Sequence, residues 1–84
     1  MSPSRQTHPA GTEPHSRIAS IDSAIIDLLH QRRGAMAELA DLRRAGRAPR
    51  VQLARENEVV RRYSEELGDS GTRLALLLLR DDPN

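Results

Sequence analysis

Apolar residues recur along the first half of the chain at Ile18, Ile21, Ile25 and Leu28, then at Ala35, Leu39 and Leu42, in alternating steps of three and four. That spacing is a helical seam with heptad periodicity. One position breaks it: where the next step calls for an apolar residue, Arg32 stands. A guanidinium on the inward stripe of a helix is expensive unless something anionic meets it. The seam therefore predicts both a long helix and an anion.

The helix is expected to start between Thr12 and Ser16, either of which can cap it, with Pro14 tolerated in the first turn. It should run to about Ala45, where Gly46 supplies a stop. Roughly 30 residues of helix reach about 45 Å, too long for a compact domain of this size, so the helix should project and pair with a partner. Ahead of it, the Pro-, Ser-, Thr- and Gly-rich residues 1–14 read as a disordered tail, leaving 15–84 as the domain. "RAP" at 47–49 connects to a second helix over about Val51 to Leu67. "GDSG" at 68–71 reads as a turn, and a third helix over about Thr72 to Arg80 is apolar nearly all round before "DDPN" ends it. The fold class is all-α, a three-helix and dimeric bundle with one very long helix.

Bulk properties narrow the functions available. The chain has 84 residues and a net charge of +1, which argues against a protein dominated by phosphate contacts. It has no cysteine, so neither disulfides nor thiolate metal sites are expected. The longest apolar run, "LALLLL" at 74–79, is far short of a membrane span. The start lacks the apolar stretch of a secretory signal, so a cytoplasmic protein is expected. A single aromatic residue, Tyr63, implies a thin core that oligomerisation would complete.

Helix geometry sharpens the question that Arg32 raises. Arg43 follows 11 residues later, which is three turns on and only about 20° round the axis. On the second helix Gln52, Glu56, Val59 and Tyr63 share a stripe, while Arg55, adjacent to Glu56, must point elsewhere. Each residue has an ordinary explanation. Arg32 could set the register of a coiled coil or pass its charge to solvent. Arg43 beside Arg44 could be a solvated face, and Glu56 could simply pair with Arg32. Taken together, two same-face arginines with an amide and a carboxylate suit a small polyanion that carries a hydroxyl.

At this point the residues resemble a family. "RIASIDSAIIDLLHQRRGAMAELADLRRAGRAPRVQLARENEVV" is similar to the all-α chorismate mutases, the AroQ class, in the order and spacing of its Ile-Asp pair, its "LL…RR" segment, the basic residue 11 positions on, and "P…RE" opening the next helix. The likeness implies the chorismate mutase type II fold, three helices intertwined as a homodimer through the first. It implies rearrangement of chorismate to prephenate in phenylalanine and tyrosine biosynthesis, with no cofactor and no metal. On the same basis Arg32 would grip a substrate carboxylate, and Arg43 would contact the ether oxygen and a carboxylate from a position usually held by lysine. Glu56 would hold the ring hydroxyl, Gln52 would lie near it, and Arg55 would support. "RRYSEELGDSGTRLALLLLR" is similar to a short bacterial subclass activated by complex formation with DAHP synthase.

Two departures stand out. Seven residues before Asp22, where the family usually has an arginine reaching into the partner subunit's site, this chain has His15. Arg17 is aimed about 200° away, so either His15 does the work when protonated, and activity should rise on mild acidification, or the contact is weakened. Many members also carry a glutamine on the third helix that donates to the ether oxygen, and here the chain reaches Asn84 before that position. The rival readings are a mutase of 4-amino-4-deoxychorismate, a pyruvate lyase of isochorismate, and a non-catalytic helical dimerisation or regulatory module. The "RE" pair at 55–56 disfavours the lyase. Acidic residues interleaved through "ARENEVVRRYSEELGD" disfavour a nucleic-acid binder.

Overall fold

Helix α1 spans Thr12–Arg44 and helix α2 spans Gln52–Asp81. The computed structural model describes residues 12–48 and 52–83, and no strand occurs among them. Most of the expected tail, residues 1–11, lies outside the described residues. So do residues 49–51, the end of the expected connection and the start of the expected second helix. The chain divides into two compact units, Met1–Arg32 and Arg33–Asn84.

Both ends of α1 carry charges that complement its dipole, Glu13 in the first turn and Arg43 and Arg44 in the last. The C-terminal stop is the one the glycine predicted. Gly46 adopts φ 71°, its N–H donates to the carbonyl of Arg43 at 3.0 Å, and Arg47 N–H donates to the carbonyl of Leu42 at 2.8 Å. This pair of reversed bonds around a left-handed glycine is a Schellman motif, and it fixes the backbone at Arg43.

The expectation of three helices joined by loops is corrected: the described residues form two helical elements, the second broken once. The turn expected over Gly68–Gly71 shrinks to a single non-helical residue, Gly68, at φ 70° and ψ −148°, with helix on both sides. Asp69, Ser70 and Gly71 are already helical, and Thr72 Oγ1 bonds back to the carbonyl of Gly68 at 3.4 Å. That region of backbone space is close to glycine-only, which is why one residue suffices. The break reverses the chain. Arg55 and Asp82 are 27 residues apart, about 40 Å on an unbroken helix, yet their side chains stand 3.6 Å from each other. At the bend the two arms nearly touch: a Cβ on Gly71 would collide with the carbonyl oxygen of Tyr63 and lie 2.7 Å from Leu67 Cβ.

The two units differ in what they bury. In the second, Met36, Ala40, Gly71 and Ala75 are buried, one methionine among small residues that suit close backbone approach. The ion pair Arg33–Asp81, at 3.3 Å and exposed, ties α1 to the far end of α2 within this unit. In the first unit Ile18, Ile21, Ile25 and Leu28 are 49–61% exposed. No helix among the described residues is long and apolar enough to cross a membrane.

Candidate active site

The Schellman turn holds Arg43 at the end of α1, and its side chain is half-buried. Nε and Nη1 of its guanidinium are shielded from solvent and have no hydrogen-bond acceptor. A buried donor without an acceptor costs about 1–3 kcal/mol, so an arriving oxygen atom that accepts from these groups recovers that penalty.

The first turns of α2 present Gln52, Arg55 and Glu56, all half-buried. Gln52 and Glu56 lie one helical turn apart, and Gln52 Nε2 donates to Glu56 Oε2 at 3.2 Å. The amide holds one carboxylate oxygen and orients the other. As adjacency requires, Arg55 diverges from Glu56, and it faces Asp82. Nε and Nη2 of Arg55 are also buried without a hydrogen bond. The second unit thus contains two arginines with unspent donors and a carboxylate oriented by an amide. No group of three or more His, Asp or Glu among the described residues is placed to hold a metal ion.

In the first unit, Arg32 is half-buried and engaged in an interaction of its own. His15 is exposed on the first turns of α1. Arg17, exposed, pairs with Glu13 one turn back at 3.1 Å.

Asp82 is the residue that sequence reasoning missed. Its side chain is 3% exposed, against 24% for Arg55, although it sits in what reads as a polar tail. The signal was available in arm lengths. Counting 13 residues either side of Gly68 pairs position 81 with position 55, so a hairpin returns the acidic doublet to the start of α2. Elsewhere on α2, an open depression of about 290 Å³ is lined by Arg62, Tyr63, Glu66 and Leu67. None of the expected site residues lines it, and its shape follows from the exposed side of one helix. Nearby, Arg61 donates a hydrogen bond to Glu58 and lowers that carboxyl below its ordinary range, but both are fully exposed surface groups.

The chain is all-α, with unsatisfied guanidinium nitrogens on Arg43 at the end of α1 and on Arg55 at the start of α2, beside the Gln52–Glu56 pair. It belongs to the chorismate mutase type II family, whose model matches residues 15–76. The chain is accordingly an isomerase, a chorismate mutase. No curated protein and no solved structure matches it.

Proposed function

We propose that the rearrangement of chorismate to prephenate is carried out here by Arg32, Arg43, Gln52 and Glu56, with Arg55 in support, in the biosynthesis of phenylalanine and tyrosine. The observation that carries this reading is the Arg43 guanidinium, buried and with two donors unspent. The reaction breaks an ether C–O bond and forms a C–C bond within one molecule, so it needs neither a nucleophile nor a proton carrier. Catalysis then reduces to two tasks. The enolpyruvyl side chain must be held over the ring, and donors must meet the negative charge that develops on the ether oxygen. Arg43 suits the second task, because its donors are already desolvated and need no reorganisation. Arginine in place of the family's usual lysine keeps the charge but offers a planar fork, so one N–H can take the ether oxygen while another takes a carboxylate. Arg32 takes the other carboxylate. Glu56, held by Gln52, accepts from the ring hydroxyl.

The functional unit is a homodimer formed through the first unit of α1. The half-exposed stripe Ile18, Ile21, Ile25 and Leu28 supports it, because an uncovered apolar stripe of this length is a docking face. His15 then serves the partner subunit's site. The chain is a subunit that DAHP synthase activates in the cytoplasm.

The test is prephenate formation from chorismate by the purified chain, alone and with DAHP synthase from the same organism. Weak turnover that rises sharply with the synthase is expected. Strong turnover by the chain alone would overturn the partner-activated reading. Turnover only with 4-amino-4-deoxychorismate would replace the substrate. A melting temperature unmoved by millimolar prephenate would favour the non-catalytic module, since a ligand of the folded state must raise it.

A further inference from the structure

The mutase reaction as described leaves one buried ionisable group without a task. Asp82 lies in the turn that ends α2, where its N–H donates to the carbonyl of Leu79 at 3.3 Å, and its side chain is almost fully enclosed. Burying a carboxylate is expensive without compensation, and here a cation faces it: Nη2 of Arg55, 3.6 Å away. That separation is an ion pair but too long for a hydrogen bond. Consistently, Nε and Nη2 of Arg55 have no acceptor. Asp82 offsets the charge of Arg55 and leaves Nε and Nη2 without a hydrogen bond.

We propose that Asp82 is a built-in counter-anion that sets the affinity of this site for its dianionic substrate. The inference rests on the placing of Arg55 and Glu56 at the site. Arg55 directly precedes Glu56, and Gln52 is one turn away, so the charge of Asp82 acts on the same two turns of α2 that receive the substrate. A dianion that enters there gains from Arg55 only what Asp82 has not already taken, and it is repelled by Asp82 as well. Neither effect changes during the rearrangement, because the substrate's carboxylates stay charged throughout. The effect is uniform binding, which moves KM and leaves kcat alone. Asp81 is held separately by Arg33, so the end of α2 keeps an anchor when Asp82 is changed.

The experiment measures kcat, KM for chorismate and melting temperature for the full chain with Asp82→Asn, Asp82→Glu and Glu56→Gln. Asp82→Asn keeps the shape and removes the charge. It should lower KM roughly three- to tenfold with kcat within about twofold of wild type. Asp82→Glu keeps the charge and reaches further toward Arg55, so its KM should equal or exceed that of wild type. A KM that is unchanged or raised in Asp82→Asn would make Asp82 a structural clasp and overturn the proposal. If Asp82→Asn does not fold, Asp82→Glu decides, because a KM below wild type contradicts the account. Glu56→Gln separates the two levels of inference. Full activity there removes the site assignment and this proposal with it, whereas lost turnover there beside an unmoved KM in Asp82→Asn removes the proposal alone.

Discussion

The two units of this chain solve the problem of a thin core differently. The second unit closes on itself. A glycine break at Gly68 reverses α2, a bare glycine at 71 lets the arms meet, and two acid–arginine pairs fasten the end. The first unit has no glycine break among its described residues, its Arg17–Glu13 pair is local to one turn, and its isoleucines stand half-exposed. An isolated helix of about 20 residues with exposed aliphatic side chains is marginal in water. One unit carries its own closure, and the other is where the proposed association would add the missing burial. The local devices are also where the candidate chemistry sits: the Schellman turn sets Arg43, and the hairpin brings Asp82 to Arg55.

Breaking each region by its own weak point separates them. The largest effect should come from Ile21→Asp, which places a charge on the stripe that a second copy would cover. The dimer should dissociate in analytical ultracentrifugation, helical signal should fall, and the melting temperature should lose its dependence on protein concentration. A variant that sediments as the wild type would mean that the stripe is not the interface. Within the second unit, Gly71→Ala drives a methyl group into the carbonyl of Tyr63. It should cost about 1–3 kcal/mol, measured by urea denaturation, while the sedimentation of the dimer is unchanged. Gly46→Ala meets no atoms within 4 Å, so only the left-handed backbone is strained. About 1 kcal/mol is expected, with a loss of turnover larger than the stability change implies, because Arg43 is set by that turn. The smallest effect belongs to Glu58→Gln. Arg61 holds the Glu58 carboxyl below its ordinary range, so whatever the pair contributes is present at neutral pH and lost as pH falls through the carboxylate range. At full exposure that contribution should leave the melting temperature unchanged within error.

The sequence carried the first helix well. A heptad seam from Ile18 to Leu42 and a glycine at 46 are local signals, and α1 ends where they say. It carried the α2 hairpin less well. "GDSG" contains two glycines and two turn-forming polar residues, which reads as a four-residue loop and a third helix. Only the glycine at 68 is needed for the break, while the one at 71 is there for close approach. Periodicity cannot distinguish those two uses. Arg43, Gln52 and Glu56 stood out because charged and polar residues on an inward stripe are costly and so informative. Asp82 did not, because "DDPN" after an apolar helix is what a solvated end looks like, and its burial follows only when the arm lengths on either side of the 68–71 turn are compared.

The central claim is that the unspent donors of Arg43 meet the substrate. The most direct measurement is kcat/KM for chorismate in Arg43→Ala, with melting temperature recorded on the same samples. Loss of a preorganised donor to the developing charge should lower kcat/KM roughly 100- to 1,000-fold while the fold stays as stable as the wild type or more so, since two unsatisfied buried donors disappear. Activity within a few-fold of wild type would contradict the account and return Arg43 to the status of a structural residue at a helix end.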